Sequence, residues 1–137
     1  MSTKLVEDYL ESVGWDYHRL SAHSLRIWWQ GTHRSVPICI RVDPEGFLAV
    51  AVVSGLKAPE EPEAASRFFR RLMEFNYRMM MAKYAIDDDL DVILAAEYPI
   101  ATLDKSQIRD VISHLAHYAD KHWDELGAEV AQGDDPC

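Results

Sequence analysis

The stretch that decides the fold is Glu63–Tyr84, which reads EAASRFFRRLMEFNYRMMMAKY. On a helix with about 100° per residue, apolar side chains fill two neighbouring stripes, while arginines and a glutamate collect opposite them. The stripes are Phe68, Leu72, Phe75 and Met79, and beside them Phe69, Met73, Asn76 and Met80. The apolar arc is therefore roughly 200° wide, whereas a single contact with a core needs about 100°. We expect a long helix that packs on a sheet and still has apolar surface to cover.

Composition limits the class of protein and its partners. The 137 residues suit one domain, which we place at residues 1–127 and follow with a flexible acidic tail at 128–137. A hydrophobic content of 48% is enough for a core, so global disorder is not expected. The net charge of −9 argues against nucleic acid and against an anionic membrane surface as partners, because both need a clustered positive field.

The rest of the chain predicts helices at both ends and an antiparallel sheet between them. Ser2 or Thr3 is a candidate cap for a first helix that runs to about Val13. Alternating runs joined by short turns then favour three or four strands, and the prolines after Ser54 predict a loop up to Glu63. A hairpin follows, with strands at Lys83–Asp87 and Asp91–Tyr98, and Asp104 with Gln107 predicts a capping box for the last helix. The order α-βββ(β)-α-ββ-α indicates an α+β fold, a twisted antiparallel sheet flanked by helices.

Two groups of residues have a superficial resemblance to metal sites. Asp87, Asp89 and Asp91 have the spacing that opens a calcium loop, but Val92 and Tyr98 occupy the positions where that loop needs Gly and Glu. A solvated hairpin turn is the better interpretation. Asp110, His114 and His117 share a stripe of the last helix, yet no His-Glu-x-x-His pattern or nearby cysteine accompanies them, so we interpret them as surface residues. No metal site is predicted.

Motifs for catalysis and cofactor binding are missing from the sequence. There is no Gly-x-Ser-x-Gly motif, no phosphate-binding loop and no dinucleotide fingerprint, so we predict no catalytic residue, no cofactor and no enzyme activity. Cys39 lies among apolar residues in mid-strand and is predicted to be a free, buried thiol. The N-terminal residues do not read as a signal peptide, and no apolar run approaches the about 20 residues of a membrane span, so we expect a cytoplasmic protein.

The most informative residues are the exposed apolar candidates. Methionine is frequent on surfaces that bind varied partners, although the same methionines could fill the core. Trp28 points away from Ile27 and Trp29 on its strand, and it therefore belongs to the face that the helices leave open. The predicted protein-binding residues are Met73, Tyr77, Met80, Met81 and Trp28.

From the long helix onward the sequence carries four local features. They are an Asn in the second half of the long helix, a strand that ends in Asp, a strand that ends in Glu-x-Pro, and an Ala-Asp pair in the last helix. The residues are Asn76, Asp87, Glu97-x-Pro99 and Ala119-Asp120. In these features the sequence resembles the YbjN family of bacterial proteins. The similarity covers roughly Thr3–Leu126.

The resemblance implies a fold like that of type III secretion chaperones, often dimeric through the middle helix and the sheet. It also implies that the protein is a regulator or a chaperone-like binder of other proteins and that it does not catalyse a reaction. Asn76, Glu97 and Asp120 match by position, and we expect structural roles for them.

Three functions remain open at this level. The first is a protein-binding module that uses the long helix and the sheet and pairs with a second copy of itself. The second is a small-molecule sensor or enzyme with a pocket between sheet and helices, and the third is a structural partner of one fixed protein. An open apolar face would favour the first, and an enclosed pocket with converging polar groups the second. The first helix is a competing cover for the surplus apolar arc, since Leu5, Tyr9 and Val13 could fold back over it.

Overall fold

A computed structural model describes residues 3–32 and 34–127 of the protein, without the side chain of Ser54. The predicted order of elements is confirmed, and the optional fourth strand before the middle helix is present. The elements are α1 (Lys4–Ser12), β1 (His18–Ser21), β2 (Ser24–Gln30), β3 (Ser35–Val42), β4 (Phe47–Lys57), α2 (Pro62–Arg78), β5 (Lys83–Ile86), β6 (Asp91–Pro99), a 3-10 turn (Ile100–Thr102) and α3 (Lys105–Gly127). The predicted tail, 128–137, lies outside the described residues.

The strands form one sheet in the order β1-β2-β3-β4-β6-β5, and every neighbouring pair is antiparallel. Side chains alternate between its two faces, and the inward set is almost completely buried beneath the helices. This inner face includes Leu25, Ile27, Ile38, Ile40, Leu48, Val50 and Leu94. The α+β fold is therefore the predicted one, with all three helices on one face of the sheet.

Helix α3 lies across the centre of the sheet, against β3, β4 and β6, and α1 packs on α3. The N-terminus of α3 has the predicted capping box. The Gln107 backbone N–H donates to Asp104 Oδ1 and the Asp104 backbone N–H donates to Gln107 Oε1, both at 2.9 Å. These reciprocal bonds satisfy two donors that the first turn of a helix would otherwise leave unpaired.

The predicted cap of α1 is wrong in part. Thr3 precedes the helix, but its hydroxyl makes no capping hydrogen bond and instead accepts one from Arg19 of β1 at 3.4 Å. Arg19 also pairs with Glu7 of α1. The hydroxyl is thus used to join α1 to the edge strand of the sheet, a tertiary contact that sequence spacing does not show. Ser2, the other candidate cap, lies outside the described residues.

The loop predicted from Ser54 onward begins later than expected, because β4 continues to Lys57. Gly55 has a positive φ of 76°, and the register with β6 shifts between Val53 and Lys57. A left-handed residue is inexpensive at glycine, and here it accommodates a bulge. After the bulge Leu56 is completely buried and Lys57 stands opposite Asp91.

Helix α2 ends at Arg78, earlier than the apolar pattern predicted. Met79 already has extended backbone angles, and Met81 has a positive φ of 70°. Lys83 Nζ donates to the carbonyl oxygens of Asn76 and Met79, at 2.7 and 2.9 Å, which are among the unpaired carbonyls of the last turn. The chain can therefore turn sharply into β5, while Met79 remains buried as its apolar spacing predicted.

Candidate protein-binding surfaces

Helix α2 buries only one of its two apolar stripes. Phe68, Leu72 and Phe75 face the core, whereas 65% of Met73, 88% of Tyr77 and 69% of Met80 are exposed. Phe69 precedes these residues on the same side and is also exposed. We call Phe69, Met73, Tyr77 and Met80 the α2 stripe. Soluble monomers seldom keep a contiguous apolar surface of this kind uncovered, so the stripe is a candidate binding surface.

The first helix does not cover the α2 stripe. It packs against α3 instead, and it buries Val6, Tyr9 and Leu10 there. The competing explanation for the surplus apolar arc, in which α1 folds back over α2, is therefore wrong. Leu5 and Val13, which were part of that explanation, are themselves exposed.

Asn76 fixes α2 to the edge of the sheet. Its side-chain Oδ1 accepts from the backbone N–H of Tyr84 at 2.7 Å, and its Nδ2 donates to the carbonyl oxygen of the same residue at 3.2 Å. The amide therefore pairs with the free side of β5 as a neighbouring strand would. Asn76 has the structural role that its position implied, and it determines which side of α2 faces outward.

A cluster of rings fixes α2 to α3. His122 is only 6% exposed, and its ring stacks on Phe75 of α2. Its Nδ1 lies 3.1 Å from the Tyr84 hydroxyl, and the Tyr118 ring is also nearly parallel to it, with 5.8 Å between the ring centres. Burial lowers the pKa of His122 and raises the pKa of Tyr84, because each charged form would lose water that the protein does not replace. Both side chains are therefore neutral at physiological pH.

Two further contacts hold the same helix pair. The Tyr118 hydroxyl accepts from the backbone N–H of Met80 at 3.1 Å, and Arg71 pairs with Glu125 at 2.5 Å. The backbone just after α2 is thus tied to α3 while the Met80 side chain remains exposed. The α2 stripe is presented by a helix whose position is determined on two sides, which reduces the entropy lost when a partner binds.

Trp28 lies on the face of the sheet that the helices leave open, as predicted. Half of its side chain is exposed, and the Arg26 guanidinium carbon lies 5.7 Å from the centre of its ring. Pro37 is its partner on β3, and Met81, the remaining predicted binding residue, is exposed in the turn after α2. The five predicted binding residues are all exposed, but they occupy two separate surfaces.

The cavity between the sheet and α3 is too small for most ligands. It has a volume of about 200 Å³ and is lined by Arg34, Ser35, Val36, Pro37, Val52, Ala119 and Trp123. Pockets for small molecules usually enclose about 300–1,000 Å³. The Arg34 guanidinium carbon lies 3.7 Å from the centre of the Trp123 ring, and one of its terminal nitrogens pairs with Asp124. The shape favours the binding module over the sensor or enzyme.

The acidic turn, which contains Asp87, Asp89 and Asp91, brings the three carboxylates within 4.8 Å of one another. Asp87 Oδ1 accepts from the backbone N–H groups of Asp89 and Asp91, both at 2.9 Å. Lys57 Nζ lies 3.2 Å from Asp91 Oδ1 and donates to the Asp89 carbonyl oxygen. The carboxylates therefore support a turn beside a lysine ammonium group, and the hairpin interpretation describes this geometry.

Asp110, His114 and His117 all lie on α3. Within residues 3–32 and 34–127, Asp110, His114 and His117 do not converge as a set of metal ligands. His114 Nδ1 donates instead to the carbonyl oxygen of Asp110 at 2.8 Å.

Cys39 is disulfide-bonded, so the prediction of a free thiol there is wrong. It is half-buried on the open face of the sheet and not in the core.

Sequence reasoning missed the most specific contacts. The position of His122 on the buried stripe of α3 is the one signal in the sequence that indicates its contacts. Asp120 was assigned a structural role without a partner. It accepts from the backbone N–H of Thr32 at 3.0 Å and thereby holds the β2–β3 connection against α3. Glu97, the third residue matched by position, is exposed.

None of the helices in the described ranges combines the length and the hydropathy that a membrane crossing requires. Comparison with curated protein sequences finds no match.

Several solved structures share the fold. YbjN from E. coli, described as a candidate transcription regulator, superposes with a TM-score of 0.66 at 11% identity and covers 91% of this chain and 93% of its own. The ExsC–ExsE complex gives 0.63 at 17% identity, covering 90% and 92%. The ExoU–SpcU complex of the Pseudomonas aeruginosa type III secretion system gives 0.59 at 18%, covering 91% and 97%. At identities this low, the structural similarity establishes a common fold. That fold is the one of type III secretion chaperones.

The family model of YbjN, a family described as "Putative bacterial sensory transduction regulator", matches residues 2–128. That range contains every element described above, from α1 to α3. The chain belongs to the YbjN family.

Proposed function

We propose that this protein is a non-catalytic binding module, chaperone-like or regulatory, which holds a partner protein against the α2 stripe and the open face of the sheet. The observation that carries the proposal is the exposure of Met73 and Tyr77 on a helix that is fixed in place, and of Met80 directly after it. An apolar surface on a rigid element can bind without first paying for its own ordering.

The structural neighbours support a protein partner. Several of them were solved as complexes of a chaperone with an effector or another bound chain, among them HopA1–SchA and SycH with a fragment of YscM2. They share the fold at low identity, so the transfer of such a role to this chain is our proposal. The small cavity beneath the sheet points the same way, because it offers little room for a small molecule.

A second copy of the chain is part of this proposal. A C2 contact would bury the α2 stripe twice, once from each subunit. Each side chain that is fully buried contributes on the order of 1.5–3 kcal/mol, and the part that exceeds the entropy lost on association stabilises the dimer. In a dimer of this kind the α2 stripe would be buried, so a partner protein that uses the stripe would have to displace the second copy, while the open face of the sheet, including Trp28, would remain accessible.

The double substitution Met73→Glu and Met80→Glu tests the role of the stripe. We expect the wild type to sediment as a dimer and the variant to sediment as a folded monomer, because the lost contacts are intermolecular. A matched control is Val13→Glu with Leu20→Glu, which adds the same charge at exposed apolar residues outside α2. It should remain a dimer.

A wild-type protein that sediments as a monomer at tens of micromolar would contradict the dimer. Capture of a specific partner by the wild type and the control, but not by the stripe variant, would then still support partner binding. If neither partner nor second copy requires the stripe, the proposed function is wrong.

The proposal includes the absence of hydrolase and transferase activity and a location in the cytoplasm. A substrate screen tests the first: turnover that persists through repurification and is lost on substitution of a cavity residue would contradict it. Cell fractionation with detection of the native protein tests the second, and recovery outside the cytoplasm would contradict it.

A further inference from the structure

A polar groove lies between the C-terminal end of α2 and the outer side of α3. It is open to solvent, has a volume of about 470 Å³ and is lined by Arg78, Ser113, His114, His117, Tyr118 and Lys121. Its lining contains two permanent cations, two imidazoles and two hydroxyl groups, and it contains no carboxylate. In a chain with a net charge of −9, such a lining is unexpected.

The cations of this groove are not neutralised by neighbours. Among the residues that the structure describes, neither Arg78 nor Lys121 takes part in an ion pair. The acidic side chains of α3 contact other groups: Asp110 contacts Arg109, Asp120 accepts from the Thr32 backbone N–H, Asp124 pairs with Arg34, and Glu125 pairs with Arg71. As far as the described part of the chain shows, the groove therefore presents positive charge without an ion-paired carboxylate.

The groove adjoins the α2 stripe at the end of the helix. Tyr118, which lines the groove, accepts the hydrogen bond from the Met80 backbone. Tyr77, the most exposed residue of the stripe, directly precedes Arg78. A bound segment can therefore place apolar side chains on Met80 and Tyr77 while its charged groups enter the groove.

We infer that the groove recognises an acidic segment of the partner protein, in which carboxylates alternate with apolar side chains. This inference rests on the proposed function and specifies the chemistry of the partner. Charge complementarity favours carboxylates, because Arg78 and Lys121 are unpaired and the side chains that line the groove include several donors. Nucleic acid fits poorly, since it would meet the overall negative field of the protein beyond the groove.

The test uses a short fluorescein-labelled peptide of alternating Glu and Leu residues, with a Lys–Leu peptide of the same length for comparison. Anisotropy of the wild-type protein should report binding of the acidic peptide that weakens as salt is added, and no binding of the basic one. Inorganic phosphate is titrated as a competitor, because a site for small anions would bind it in place of the peptide.

Charge reversal by Arg78→Glu and Lys121→Glu should lower the affinity for the acidic peptide by on the order of tenfold or more, because two attractive contacts become repulsive. The matched control is Arg70→Glu with Lys105→Glu, two exposed cations outside the groove, which makes the same change in net charge. It should leave the affinity within about twofold, since distant exposed charges are screened by salt.

Equal weakening in both variants would show a non-specific field effect and would overturn the inference, as would equal binding of the acidic and basic peptides. Full displacement by phosphate at concentrations that leave the ionic strength unchanged would indicate a site for small anions, which also contradicts it. If the groove variant retains a partner that the stripe variant loses, the proposed function holds and only this inference is wrong.

Discussion

The imidazole of His122 lies almost parallel to the phenyl ring of Phe75, with 4.0 Å between the ring centres and 19° between the planes. This stack joins α3 to α2, and the hydrogen bond between His122 and Tyr84 adds β5 to the same contact. The surface proposed to bind a partner therefore depends on a buried histidine beneath it.

Stability should fall as the solution becomes mildly acidic. Burial and the nearby Lys121 lower the pKa of His122 below the ordinary 6.5, and Glu125 opposes this shift only in part. When the pH falls through 6.5, the unfolded state takes up a proton that the folded state still refuses, so the free energy of unfolding decreases. The loss is complete below the folded-state pKa of His122.

The substitution His122→Phe removes this titration while retaining a ring for the stack. Chemical denaturation at a series of pH values should show a smaller loss of stability below pH 6.5 than in the wild type, whatever the starting stability of the variant. His18→Gln, at an exposed position of β1, should keep the wild-type pH dependence. Identical pH profiles for His122→Phe and the wild type would show that the buried imidazole does not cause the effect.

Removal of the Asn76 amide should loosen α2 from the sheet. Asn76→Ala loses both hydrogen bonds to the Tyr84 backbone, and we expect a loss of about 1–3 kcal/mol in the free energy of unfolding. Asn76→Asp keeps the acceptor but places a carboxylate against a carbonyl oxygen, so it should also be destabilised. Val13→Ala, at an exposed position outside the α2 stripe, should change stability by less than about 0.5 kcal/mol.

Local patterns predicted most of the fold. The alternation in β2, β3 and β6, the turn residues between them and the capping box at Asp104 each depend on a few neighbouring residues, and each appears in the structure. The end of α2 at Arg78 could not be predicted in this way. The apolar period continues through Met79 and Met80, and the turn depends on Lys83, which closes the helix from the following strand.

The candidate surfaces likewise include some features that the sequence indicates and others that only the packing of the helices creates. Exposure of Met73, Tyr77 and Met80 follows from an apolar arc wider than one core contact can cover, and the sequence contains that information. The ring stack at His122 and the groove between Arg78 and Lys121 join residues from helices that are far apart in the chain. Only the packing of α2 beside α3 brings them together, so no spacing rule indicates them.

The acidic turn should bind no metal in stoichiometric amount. Lys57 already supplies positive charge to Asp91, and Asp87 is occupied by two backbone N–H groups. Elemental analysis of protein purified without chelator should find neither calcium nor zinc, and added calcium should leave the melting temperature unchanged. Stoichiometric calcium that disappears in an Asp87→Asn variant would contradict this prediction.

Gly31→Ala should destabilise the protein through Asp120. A Cβ atom at Gly31 would lie 2.8 Å from Cγ and Oδ1 of Asp120 and 2.9 Å from the carbonyl oxygen of Arg34, closer than such contacts tolerate. The side chain of Asp120 would have to move, and the bond to the Thr32 backbone that holds the β2–β3 connection would weaken. Overpacking of this kind typically costs about 1–3 kcal/mol.

A double-mutant cycle separates this cause from a general effect of alanine. Asp120→Ala alone loses the bond to Thr32, but in the Gly31→Ala background it also relieves the clash, so the double variant should be more stable than the sum of the single losses predicts. Gly127→Ala is the control, because its Cβ would meet only ordinary van der Waals neighbours at 3.7 Å or more. Additive losses in the cycle, measured by chemical denaturation, would place the strain at the Arg34 carbonyl and not at Asp120.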